Sequence, residues 1–200
     1  VARPPAFGKK LKSFDDAAAR TLPGVKNIVS FDNKVAVLAT STWEAKKGRD
    51  ALKIEWEDEA PLENTAEHQE ALKKLIQDKH AVPKRNNGDV EKSLASAKKV
   101  LELVFEAPFL PHASMEPLNF FADVREDKAE VYGSIQTPAR ARGAIAKELN
   151  IPEDKITVAM SPRMGGGFGR RLQADYAVEA AKVSYLAKAP VHVIWTREDD

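Results

Sequence analysis

A mixed α+β fold is what this sequence predicts, and three observations carry that prediction. Residues 25–31 and 191–195 are runs of β-branched and aromatic residues of strand length. Between such runs lie short segments that open on helix-capping residues. The order of the two kinds is mixed rather than a regular strand–helix–strand alternation, which points away from a doubly wound parallel sheet.

The elements follow in order. Ser13, with Asp16 three residues later, stands in capping-box position ahead of Ala17-Ala18-Ala19, and Pro23-Gly24 stops that helix. Residues 25–31 and 34–39 read as strands joined by Asp32-Asn33, a hairpin-turn pair. Ser41 with Glu44 forms a second capping box, opening a helix to about Ala51, and residues 52–56 read as a strand. Acidic Glu57-Asp58-Glu59 and Pro61 close a first unit, residues 1–60. Residues 61–97 read as a connector with one helix: Asn64 and Glu67 cap it, and Leu72, Leu75 and Ile76 form its narrow apolar stripe. Residues 84–89 are polar and turn-rich. In residues 98–200, strands are expected at 100–107, 119–124, 129–134 and 156–160. A helix starts at Thr137-Pro138, with Thr as cap and Pro at the first helical position, and a longer one spans 172–187.

Composition excludes several functions. No run approaches the roughly 18 apolar residues of a membrane span. A net charge of +1 argues against a nucleic-acid binder that relies on bulk electrostatics. The absence of cysteine removes disulfides, iron–sulfur ligation, thiolate zinc sites and cysteine nucleophiles from this segment. Histidines 68, 80, 112 and 192 are too scattered for a zinc site. Val1 is neither an initiator Met nor followed by a signal-like apolar segment, and the chain is expected to be a piece of a longer polypeptide.

One segment carries chemistry. Met164-Gly165-Gly166-Gly167-Phe168-Gly169-Arg170-Arg171 lies between a predicted strand and a predicted helix. Four glycines in five positions cost backbone entropy, and such a loop persists where the backbone takes positive φ or approaches a ligand. Its amides and the following helix N-terminus suit an anion, and Arg170 and Arg171 suit phosphate oxygens. The dinucleotide fingerprint fails because its sixth place is Arg170, and the P-loop lysine followed by Ser or Thr is missing. From composition alone the loop reads equally as an anion site or as a tight turn with solvated arginines.

Gly-Gly-Gly-Phe-Gly followed by Arg-Arg resembles the cofactor loop of molybdenum hydroxylases of the xanthine dehydrogenase and aldehyde oxidase superfamily, and within it the bacterial isoquinoline 1-oxidoreductase β-subunit type. Three further stretches match in the same order: residues 111–119 (PHASMEPLN), 135–138 (IQTP) and 193–199 (VIWTRED). Residues 3–8 (RPPAFG) and the stretch from Val35 to Trp43 resemble the α/β hammerhead domain.

The resemblance implies a hammerhead-like unit at 1–60 followed, from residue 98, by the N-terminal part of a molybdopterin-binding domain. It implies an oxidoreductase that hydroxylates N-heteroaromatic or aldehyde carbons with water-derived oxygen. The implied cofactor is molybdenum held by molybdopterin cytosine dinucleotide. The implied partners are a small iron–sulfur [2Fe-2S] subunit and a cytochrome acceptor, with no nucleic acid. Gln136 matches the glutamine that hydrogen-bonds a molybdenum oxo ligand. Gly165, Gly166, Gly167, Phe168, Gly169, Arg170 and Arg171 match the loop that meets the cofactor. His112 and Glu116 share one segment without a metal-ligand pattern, and Glu116 is given a structural role. Leu172 stands where purine-oxidising members have a glutamate, so purine oxidation is not expected. The general-base glutamate of the family falls beyond Asp200, so no catalytic residue and no metal ligand is expected here. The 200-residue piece alone is expected to hold no cofactor and to be inactive. The branch implies a periplasmic location, with the cytoplasm as alternative. The competing reading is a non-catalytic anion- or nucleotide-binding, or structural, module of a larger complex.

Overall fold

The computed structural model describes all residues except 63, 79, 81 and 86. Contacts divide the chain into one compact unit of residues 1–62 with 111–200 and a second of residues 63–110. This line of contact differs from the sequence division at 60 and 97.

Strand β1 (Lys9–Asp15) leads into a single helical turn, α1 (Ala17–Arg20). Ser13 does not cap that helix. It lies in β1 opposite Glu55, and its hydroxyl donates to Glu55 Oε2 at 3.1 Å. Leu11 and Phe14 pack against a small core of Ala19, Ile28, Val35 and Val37, and this burial fixes the segment as strand. Strands β2 (Val25–Phe31) and β3 (Lys34–Ala39) pair antiparallel across Asp32-Asn33, with Asp32 at φ 49° as a tight hairpin requires. Helix α2 (Thr42–Asp50) begins where expected, with Ser41 Oγ accepting from the Glu44 amide at 3.3 Å. Strand β4 (Lys53–Asp58) closes the segment by pairing with β1.

In the second unit, α3 (Thr65–Ile76) is capped by Asn64, whose Oδ1 accepts from the Glu67 amide at 3.0 Å. The expected turn region 84–89 includes Asn86, which lies outside the described residues. Helix α4 (Val90–Ser96) follows, capped by Asp89. Residues 100–107 do not form the expected strand. A strand needs a neighbour for its backbone donors and acceptors, and none lies alongside among the described residues. Leu101, Leu103, Val104 and Phe105 are exposed there.

The rest of the first unit is a four-stranded sheet with two helices. Its elements are β5 (Asn119–Val124), β6 (Ala129–Gly133), α5 (Pro138–Leu149), β7 (Ile156–Met160), α6 (Asp175–Ala187) and β8 (Val191–Ile194). The sheet order is β7-β6-β5-β8; β6 and β7 run parallel, joined through α5, and the other pairs are antiparallel. Phe120, Ala122, Val124, Ala129 and Val131 alternate into a core completed by Ile145 of α5 and by Tyr176, Ala177, Ala180 and Val183 of α6. Phe31 and Ala36 belong to the same core, so the N-terminal hairpin packs on this layer. Helix α6 starts at Asp175 rather than near 172, because Gly169 at φ 89° turns the chain into a separate 3₁₀ turn over Arg170–Leu172. Among the described residues no helix is long and apolar enough to cross a membrane.

Candidate functional site

The parallel pair β6–β7 ends on one side of the sheet, and the two segments that leave it are the ones the sequence singles out. From β6 the chain runs through Ser134 and Ile135 to Gln136, then into α5. From β7 it runs into the glycine loop and the 3₁₀ turn that precedes α6. The two meet. The Gln136 backbone N–H donates to the Arg171 carbonyl at 3.0 Å, and Thr137 Oγ1 donates to the Leu172 carbonyl at 3.0 Å.

The glycines have separate physical reasons. A Cβ on Gly167 would stand 2.7 Å from Gln136 Oε1, so only glycine lets that side chain lie against the loop. A Cβ on Gly165 would stand 2.4 Å from Glu116 Cβ. Gly166 and Gly169 take φ of 103° and 89°, which L side chains rarely adopt. At Gly169 a Cβ would meet nothing within 4 Å, so open space lies on that side of the loop. Phe168, at φ 49°, holds its ring 72% exposed, an apolar face without a protein partner to cover it. Among the described residues no protein acceptor takes the N–H groups of Gly166, Gly167, Phe168 and Gly169. The Gln136 carboxamide is exposed beside them.

The two arginines serve the frame. Arg171 is fully buried, and its guanidinium donates to the carbonyls of Gly166 (2.8 Å), Ser134 (3.3 Å) and Glu116 (2.7 Å). Tyr176 joins it, donating its hydroxyl to the Ser134 carbonyl at 2.5 Å. Burial raises the Tyr176 pKa, partly offset by Arg171, so the phenol stays a donor. Arg170 forks onto both oxygens of Asp175 at 3.0 and 2.9 Å and reaches Asp200 at 3.2 Å. Its guanidinium also lies 5.3 Å from the Trp195 ring centre. Nothing in the sequence distinguishes an arginine aimed at phosphate from one that braces a loop; burial decides it here for Arg171.

Glu116 was legible only as part of its segment, and the structure gives it four neighbours. Its Oε2 accepts from the Gly165 amide at 2.8 Å and from Ser134 Oγ at 3.2 Å, its Oε1 accepts from Asn119 Nδ2 at 2.9 Å, and Arg171 lies 3.6 Å away. Partial burial pushes its pKa up, but these hydrogen bonds and the Arg171 charge together outweigh burial and hold it below the ordinary glutamate value. Ser114 Oγ, buried behind Gly166, has no hydrogen-bond partner among the described residues. Ser134, Tyr176 and Ser114 were not predicted from sequence, because isolated Ser and Tyr residues carry no spacing signal. His112 is exposed outside this network. Among the described residues no group of three or more His, Cys, Asp or Glu could hold a metal ion.

Residues 70–200 match the family model of the molybdopterin cofactor-binding domain. The chain is 33% identical, over 98% of its length, to the membrane-bound aldehyde dehydrogenase [pyrroloquinoline-quinone] of Gluconacetobacter polyoxogenes, of which it covers 27%. It is 29% identical, again over 98% of its length, to isoquinoline 1-oxidoreductase subunit beta of Brevundimonas diminuta, of which it covers 26%. It thus spans about a quarter of the length of these relatives. In fold it is similar to quinoline 2-oxidoreductase of Pseudomonas putida 86, at TM-score 0.69 and 20% identity over 99% of this chain and 31% of that one.

Proposed function

The chain belongs to the molybdopterin cofactor-binding domain family, in the xanthine dehydrogenase and aldehyde oxidase superfamily, and from that premise we propose that it is the part of a molybdenum hydroxylase that grips the cofactor with Gln136 and the glycine loop. The observation that carries the proposal is the meeting of Gln136 with Gly167, where the missing Cβ leaves room for the carboxamide.

The residues fit such a group. The N–H groups of residues 166–169 point at no protein acceptor among the described residues, as donors to an anionic ligand would. Open space flanks Gly169, the exposed Phe168 ring offers an apolar face, and the orphaned Ser114 hydroxyl lies behind the loop. When bound, the molybdenum–pterin group supplies the two-electron redox centre. Gln136 donates a hydrogen bond there without adding charge. The loop amides hold the ligand's acceptor oxygens, and Arg171 keeps the loop in the shape that presents them.

The finer reading is molybdopterin cytosine dinucleotide as cofactor, an N-heteroaromatic or aldehyde carbon as substrate, and water as oxygen source. Electrons pass to a [2Fe-2S] partner subunit and onward to a cytochrome, in the periplasm. Similarity to an aldehyde dehydrogenase and to an isoquinoline oxidoreductase supports both substrate classes without choosing between them. Leu172 in place of a substrate-binding glutamate argues against purines. The test is turnover of the full-length protein in ¹⁸O-labelled water with an N-heteroaromatic and an aldehyde. The label is expected in the product; unlabelled product, or none from either class, contradicts the reading.

A further inference from the structure

Glu116 is not among the residues assigned to the cofactor, yet its carboxylate is where three segments of the site meet. Oε2 takes the Gly165 amide and the Ser134 hydroxyl, and Oε1 takes the Asn119 side chain at the start of β5. The backbones join as well, with the Glu116 amide donating to the Gly165 carbonyl at 3.1 Å. Ser134 lies two residues before Gln136, so one side chain touches the loop and the approach to Gln136 together.

The loop is braced by Arg171 at the Gly166 carbonyl, and among the described residues only Glu116 takes its Gly165 amide. Its internal backbone hydrogen bonds are Arg170 to Gly167 and Leu172 to Gly169, both at its far end. Gly166 sits at φ 103°, and Gly165 presses so closely on Glu116 that no Cβ fits between them. A flexible glycine run with so few bonds of its own needs an external clamp to keep one conformation.

We propose that Glu116 is a positioning residue whose ionised carboxylate clamps the glycine loop to the end of β6, fixing the spacing between the loop and Gln136. The value of that spacing to a ligand rests on the cofactor reading above. A carboxylate is the side chain that suits the place. It accepts from three donors at once and faces the buried Arg171 guanidinium with opposite charge. A glutamine of the same shape must turn its NH₂ towards one set of donors.

The test is hydrogen–deuterium exchange read by mass spectrometry on the full-length protein. Wild type, Glu116→Gln, Glu116→Ala and Ser134→Ala are compared, with molybdenum content measured on the same samples. In Glu116→Gln the loop peptide is expected to exchange on the order of tenfold faster, the size of one lost charge-assisted hydrogen bond, while peptides from β5 and β6 stay as in wild type. Ser134→Ala, which removes a single donor and leaves the carboxylate, is expected between the two and keeps the test open if the Glu116 variants fail to fold. Molybdenum content should fall in the same order. Loop exchange equal to wild type in both Glu116→Gln and Glu116→Ala means that the carboxylate holds nothing in the loop and overturns the clamp. Wild type without molybdenum, but with faster loop exchange in the variant, leaves the clamp standing and removes the cofactor reading.

Discussion

A missing Cβ matters for different reasons at neighbouring glycines, and substitution separates them. Gly165→Ala drives a methyl into Glu116 Cβ and towards its backbone amide, and is expected to cost about 1–3 kcal/mol, the range for forced overpacking. Gly169→Ala meets nothing and bears only the strain of positive φ, about 1 kcal/mol. Calorimetric melting of the two variants checks this; equal losses would mean that the contact with Glu116 gives way freely. Glu116 also makes stability depend on pH. Its folded pKa lies below the ordinary 4.5, so its contribution is complete above that value and is lost as pH falls through the folded one. Wild type and Glu116→Gln should therefore differ most at neutral pH and converge on acidification below 4.5; a gap that does not change with pH contradicts this. The irregular backbone of the glycine loop was legible in sequence, because four glycines in five positions allow the positive φ seen at Gly166 and Gly169. The task of Arg171 was not, since a guanidinium buried on three carbonyls looks in sequence like any other basic residue.

Helix starts are local chemistry, and the sequence discloses them when nothing distant competes. Ser41 and Asn64 cap their helices at the predicted spacing, because a cap involves only the residue and the amide three places on. Ser13 has the same spacing and fails, since pairing with Glu55 across the β1–β4 ladder claims both its backbone and its hydroxyl. Residues 100–107 err the other way: the strand pattern is present, and no pairing strand lies alongside among the described residues. Ser41→Ala is expected to lower stability by about 1 kcal/mol through loss of the cap. Ser13→Ala is expected to leave helix content untouched in circular dichroism; a drop there would restore the capping role.

At the scale of the larger unit, a buried carboxylate helps to fasten the N-terminal segment to the sheet layer. Glu179 on α6 takes Arg3, Lys34 and the Trp195 indole N–H, while Lys182 bridges Asp32 and Glu148 on the surface. Replacing Glu179 with alanine takes the carboxylate from Lys34 and from the buried Trp195 N–H, while Arg3 keeps Asp199 at 2.9 Å; the unpaired buried donor is expected to cost about 1–3 kcal/mol. Urea unfolding should show that loss, and an unchanged midpoint would mean that the apolar contacts of Phe31 and Ala36 suffice. No sequence rule links residue 3 to residue 179, so the joining of the N-terminal and cofactor segments had to come from the fold. The central claim is that Gln136 and the glycine loop, brought together by that fold, hold molybdopterin. Its most direct test is the molybdenum and pterin content of the purified full-length protein, alongside Gln136→Ala and Gly167→Ala. One molybdenum and one pterin per chain in wild type, lowered in both variants, is the predicted result. A wild-type protein that carries pyrroloquinoline quinone, a plain nucleotide or neither, with no molybdenum, would contradict it.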